Sequence, residues 1–137
     1  MKAVYPVIFT ETEQVVLVEV PDFQILTEGK DMADAIAMAR DAIGIAGISK
    51  EDHGEEIPKP SRMSEIKVED GTFAGEGEAV LSLVDIEFLV YRKQLDNKMV
   101  RRNVTLPNWL NREVEKAHIN VSKVLREALM VQLDVGK

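Results

Sequence analysis

Arg101, Asn103 and Thr105 occupy alternate positions of the segment Val100 to Leu106. In an extended chain alternation places them on one face, with Val100, Val104 and Leu106 on the other. The polar face carries a cation, an amide and a hydroxyl. These side chains can read base edges: Arg pairs bidentately with guanine, Asn with adenine, and Thr uses its hydroxyl or methyl. Further on, Asn120 precedes Val121, Ser122 and Lys123. Asn is a favoured helix N-cap, so the amides of those three residues, the Ser122 hydroxyl and the Lys123 ammonium make an anion site at a helix start. Such a clamp holds phosphate without reading sequence.

The elements that must position these groups are legible around them. The strand runs through Pro107, suited to a first helical turn, into a helix striped by Leu110, Val114 and Ala117. After His118-Ile119-Asn120 a second helix carries Val121, Val124, Leu125, Ala128 and Leu129 at helical spacing. This order resembles that of a ribbon-helix-helix DNA-binding module. Residues 99–137 number 39, too few to bury an adequate core alone, and a lone strand is an unpaired edge. Two copies pairing their strands antiparallel solve both problems and present two sets of Arg101, Asn103 and Thr105 about a two-fold axis. The expected assembly is a homodimer, or a tetramer if the front parts also pair, and the expected target is operator DNA with an inverted repeat. The bland alternative is a strand and helical hairpin that completes another domain's core.

Charge divides the chain at the same place. Residues 1–98 hold 10 Lys and Arg against 20 Asp and Glu, a net of −10, while residues 99–137 hold 7 against 4, a net of +3; together they give −7. The local field of the contacting surface steers association, so an acidic chain with a basic tail remains compatible with DNA binding. At 137 residues, 45% hydrophobic and 30% charged, the composition is that of a globular protein of one or two small domains. No cysteine is present, which excludes a thiolate nucleophile or a disulfide framework. No run approaches the ~20 apolar residues of a membrane span, and Met1 to Pro6 lacks a signal-peptide layout, so a cytoplasmic location is expected.

In the front part, Ala3–Phe9 reads as a strand, with Pro6 marking an edge or irregularity. Gln14–Val20 reads as a strand covered on both faces, joined to the first through Thr10-Glu11-Thr12-Glu13. Asp31 caps a helix with Met32, Ala35, Ile36, Ala39 and Ile43 inward, closed by Gly44 and Gly47. A turn at Ser49–His53 leads to the crossing loop Gly54–Ser61, extended by its two prolines. Ala79–Asp85 is a third strand and Ile86–Leu95 a short helix before the hinge Asp96-Asn97-Lys98. Two domains follow, 1–96 and 99–137.

Across nearly its whole length the chain resembles the HicB family of antitoxins. The likeness rests on Tyr5-Pro6-Val7-Ile8-Phe9, Pro21-Asp22-Phe23, Thr27-Glu28-Gly29, the Ala35-Ile36-Ala39-Arg40 stripe, Gly54 to Ser61, Thr105 to Leu110 and Asn120-Val121-Ser122; it departs where the family often has Pro-Gly-Cys and this chain reads Phe23-Gln24-Ile25-Leu26. The resemblance implies an α+β protein: a partial RNase H-like N-terminal domain without catalytic activity, which covers the active site of a small basic HicA-type mRNA-cleaving toxin, and a ribbon-helix-helix domain that represses the operon. An acidic cover for a basic RNA-binding protein is electrostatically coherent. Candidate toxin contacts are Glu11 and Glu13 beside the first turn and Glu51, Asp52, Glu55 and Glu56 in the acidic loop.

Two other function classes stand beside this one. A plain transcription regulator would use its front domain to sense a small molecule or to oligomerise. A metal-dependent nuclease would need Asp22, Asp31, Asp34, Asp41 and Asp85 to converge on Mg²⁺. Asp31 and Asp34 already serve a helix start and Asp41 falls on its polar side, while His53 and His118 lack a Ser, Cys or ligand set. Neither catalysis nor a cofactor or metal is therefore expected. Trp109 and the methionines read as packing groups, with Trp109 a candidate to cover a dimer or interdomain boundary.

Overall fold

The computed structural model describes residues 1–135; Gly136 and Lys137, the end of the expected second domain, lie outside them. The chain divides into two units, Met1–Lys98 and Met99–Lys137, each described by itself.

In unit 1, apolar residues at every second position of β1 (Lys2–Glu11), β2 (Val16–Val20) and β4 (Glu78–Glu87) form one apolar sheet face. With β3 (Ile25–Gly29) they make a four-stranded antiparallel sheet in the order β3-β2-β1-β4. Helix α1 (Met32–Asp52) crosses that face, so that Ala35, Ala39 and Ile43 meet Tyr5, Val7, Phe9, Val18, Val20, Val84 and Ile86 in the core. As expected, Asp31 caps α1 through the Asp34 amide at 2.8 Å; Asp34 in turn accepts from the Lys30 amide at 2.8 Å. A short helix, α2 (Phe88–Leu95), follows β4 directly and packs on α1.

Four sequence expectations are corrected. First, α1 does not close at Gly44 and Gly47, nor does the chain turn at Ser49; the helix runs to Asp52. The glycines are there for close approach. A Cβ on Gly44 would lie 2.6 Å from Tyr91 Cγ, and one on Gly47 2.3 Å from Phe88 Cε1, so α2 packing offsets the helix propensity that glycine lacks. Second, the strand covered on both faces is β1, where Tyr5 to Thr10 are all buried, while β2 alternates. Thr12 and Val15 close the β1–β2 turn through the Thr12 hydroxyl, which is why β2 begins only at Val16. Third, β3 went unread. A 3₁₀ turn at Pro21–Phe23 and Gln24 in the left-handed region, φ +54°, swing the chain back into it, a backbone that the sequence signals only weakly because Gln is not glycine. Fourth, Pro6 does not make β1 an edge strand: β1 is interior to the sheet, with Leu83 of β4 opposite Pro6, and the expected edge is present only locally, on the other side. The Phe88 amide donates to the Met1 carbonyl, so odd residues of β1 exchange hydrogen bonds with β4 and even residues point the other way. The β2 register ends at Ile8–Glu19, and the missing Pro6 N–H falls where no ladder exists.

Unit 2 consists of α3 (Asn108–Lys116) and α4 (Val121–Leu133). Pro107 is the residue before α3 rather than its first, and its carbonyl accepts from Asn111. The α3 helix ends in a paired 6→1 and 5→2 closure, Ile119 N to Val114 O and His118 N to Glu115 O, both 3.2 Å, with His118 left-handed at φ +54°. Residues 100–106 form no hydrogen-bonded strand in the single chain. A strand exists only with a partner, and among the described residues none pairs with this segment.

Candidate functional site

At the α1 terminus the chain turns through Gly54, φ +75°, into the extended Pro58-Lys59-Pro60 segment. Three clamps hold the long crossover to the sheet. Tyr5 Oη donates to the Pro58 carbonyl at 2.6 Å; the Ser61 amide and hydroxyl donate to Asp22 at 2.9 and 2.5 Å; the Thr72 amide and hydroxyl donate to Glu19 at 2.8 and 3.0 Å. Burial, and then the Asp22 charge, push the Tyr5 phenol above its ordinary pKa. Between this loop and the start of β1 lies a groove of about 560 Å³, floored by Ala3, Tyr5 and Ile57 and rimmed by Glu51, Glu55 and Glu56.

The six acidic candidates of unit 1 do not share one surface. Glu51 and Asp52 hold Arg92 of α2, at 2.5 and 2.6 Å, so much of their charge is answered within the fold. Glu55 and Glu56 are exposed beside the groove. Glu11 and Glu13 are exposed at the opposite end of β1, which at ~3.3 Å per residue is roughly 30 Å away. The five aspartates considered for metal do not gather into a ligand set among the described residues. Asp22 and Asp34 accept backbone amides, Asp31 caps α1, Asp41 accepts from Tyr91 Oη at 2.6 Å, and Asp85 pairs with Arg40 at 2.9 Å. The Arg40 hydrogen bond and charge hold the Asp85 carboxyl below its usual range.

In unit 2, Arg101, Asn103 and Thr105 are exposed, but Val100 on the opposite alternation is also 81% exposed and Val104 50%. Leu106, Leu110, Val114, Val121 and Leu125 are half-buried, while Trp109, Val124, Leu129 and Val131 are exposed; no residue of α3 or α4 is buried. At the start of α4 the Asn120 side chain accepts the Lys123 amide at 3.1 Å. That amide is committed to the cap, so of the expected anion site the Val121 and Ser122 amides, the Ser122 hydroxyl and the Lys123 ammonium remain.

A family model described as the HicB-like antitoxin of bacterial toxin–antitoxin systems matches residues 5–133. The chain belongs to this family. Among solved structures, an antitoxin HicB from Burkholderia pseudomallei is similar at 28% identity and TM-score 0.51, over 98% of both chains. A toxin–antitoxin complex from Streptococcus pneumoniae contains a chain similar at 22% identity and TM-score 0.60, over 96% of this chain and 99% of that one. A HicA3 and HicB3 toxin–antitoxin complex contains one at 22% and 0.51, over 62% of this chain and 99% of that one. At that identity the last two support the fold alone. A comparison with curated proteins finds no match.

Two features of this HicB-like chain escaped sequence reasoning. The Arg92 clamp on Glu51 and Asp52 joins residues forty apart, and no local spacing announces it. The Asp22–Ser61 and Glu19–Thr72 clamps are equally non-local, although the pairing of acidic residues with Ser and Thr next to a Pro-rich loop is the signal that fits them. Among the described residues no helix is long and apolar enough to cross a membrane.

Proposed function

We propose that this chain neutralises a small basic HicA-type toxin by covering its RNA-cleaving site, and represses its own operon in the cytoplasm as a dimer without being an enzyme itself. The observation that carries the reading is the family match over residues 5–133, which spans both units; the toxin–antitoxin complexes among the structural relatives support the toxin as partner. The four-stranded sheet with α1 across one face fits the partial RNase H-like domain that the resemblance implies. With a net charge of −10 over residues 1–98, unit 1 attracts a basic RNA-binding protein by the same field that RNA does.

The second half of the proposal rests on unit 2. Its unburied helices and the exposed Val100 and Val104 fit a segment whose core is completed by a second copy through an antiparallel ribbon, with Arg101, Asn103 and Thr105 facing the major groove. The exposed Trp109 fits a residue covered on assembly. Unit 1 self-pairing would extend the dimer to a tetramer. Operator binding across a salt series tests this. Arg101→Ala is expected to cost roughly 1–3 kcal/mol and relax base preference, while Lys123→Ala weakens all sequences alike and reduces the salt slope by about one. Wild-type affinity in both variants would remove the ribbon assignment. A plain ligand-sensing regulator draws on the groove at Ala3, Tyr5 and Ile57; it predicts a small-molecule thermal shift and no protein partner.

A further inference from the structure

We infer that the toxin docks by adding an extended, basic segment to the open edge of β1 at Lys2 and Val4, its side chains entering the groove beside the Pro58–Pro60 loop. The inference rests on the toxin reading above and names the contact surface that reading leaves open.

Three observations converge on the slot. The ladder parity set by the Phe88–Met1 bond turns the Lys2 and Val4 N–H and C=O groups away from β4. On their side β2 stops at Ile8–Glu19, and among the described residues no backbone hydrogen bond reaches Lys2 or Val4 from there. An unpaired strand edge of this kind accepts another strand, main-chain bonds giving affinity and alternate side chains specificity. Next to that edge is space. The crossover loop is held off β1 by a single reach, the Tyr5 phenol to the Pro58 carbonyl, leaving the groove of about 560 Å³, with Ala3, Tyr5 and Ile57 as apolar floor. Every second side chain of an added strand would fall on this floor. Finally, charge selects the occupant. Glu55 and Glu56 on the rim have no ion pair among the described residues, and the unit behind them carries −10. Lys2 and Lys59 lie on the same lining, so the segment presents its cations toward the loop's Glu55–Glu56 end. The second acidic cluster, Glu11 and Glu13, borders the paired end of β1 and has no such edge.

The test uses this chain with both units and the toxin co-purified with it. Val4→Pro removes the one N–H that the edge donates centrally, at a position like Pro6 where no internal bond is lost. It is expected to weaken toxin binding about tenfold, one main-chain bond and a displaced strand, with an unchanged melting temperature. Glu55→Lys with Glu56→Lys should weaken it by a similar factor at low salt and less at high salt, while Glu11→Lys with Glu13→Lys should leave it within about twofold. Amide hydrogen exchange on the wild-type complex gives a readout independent of any variant's folding: the Lys2 and Val4 amides become protected when toxin is bound. If wild type binds toxin and those two amides stay as fast as in the free chain, or Val4→Pro binds equally well, the edge inference is overturned while the antitoxin reading stands. If wild type retains no toxin, both fall.

Discussion

Replacing Gly47 by Ala tests whether α2 is seated on α1 as described. Helix propensity alone favours the change, because Ala in a helix interior is better than Gly by ~1 kcal/mol. The packing opposes it. The new methyl would lie 2.3 Å from Phe88 Cε1 and 2.9 Å from Cδ1, the closer atom well over 1 Å inside the ~3.5–4.0 Å of ordinary carbon contact. The ring has little room to retreat, being 5% exposed and edge-on to the buried Tyr5 with centroids 6.4 Å apart. Overpacking of this kind costs ~1–3 kcal/mol, so after the propensity gain the net loss is ~1 kcal/mol, within a range of ~0–2. Amide exchange of β1 and α1 reports on this contact directly, with protection expected to fall. In a double-mutant cycle, Phe88→Leu should relieve the clash and give a favourable coupling of ~1 kcal/mol or more. Stabilisation of Gly47→Ala by the full propensity gain would refute the contact.

Further outcomes follow from the same geometry. His118→Gly at the left-handed residue after α3 should stabilise unit 2 by ~0.5–1 kcal/mol, read from Trp109 fluorescence in urea; destabilisation would mean that the His118 side chain contributes more than its backbone costs. Asp22→Ala removes the acceptor of both Ser61 bonds and should cost ~1–2 kcal/mol, with faster exchange along residues 54–62; unchanged exchange there would discount the clamp. Burial, with the Asp41 hydrogen bond and charge, pushes the Tyr91 phenol up to about 12. The folded chain thus holds that proton more tightly than the unfolded one, so the contribution is full below pH ~10 and declines as pH rises from there toward ~12. Tyr91→Phe should flatten that alkaline decline in denaturant titrations, and an identical slope would show that the phenol is free in solution.

Local signals carried much of the fold. Asp31, the α1 stripe, the β4 and α2 segments and both C-terminal helices follow from caps and periodicity, which depend on neighbours within a turn. What local reading missed depends on distant partners. Gly44 and Gly47 look like helix stops until Tyr91 and Phe88 arrive from α2. Pro6 does mark a local edge, because the β2 ladder ends at Ile8, but only the sheet order shows that the strand carrying it is interior. The acidic candidates rest on charge and on their place in a loop and beside a turn, and sequence cannot show that Glu51 and Asp52 are answered by Arg92 or that Glu11 and Glu13 lie at the far end of β1 from Glu55 and Glu56. Conversely, the polar alternation of Arg101, Asn103 and Thr105 is plainer in the sequence than in the single chain, where residues 100–106 form no hydrogen-bonded strand.

The most direct test of the central claim is tagged capture of the chain from a lysate of its native cells at moderate salt, with the intact mass and RNase activity of what co-purifies. The account predicts a stoichiometric basic protein of well under ~100 residues that loosens in high salt, cleaves mRNA once separated, and stops cleaving when the chain is added back. Recovery of the chain alone, or of a partner whose activity the chain leaves untouched, would contradict it.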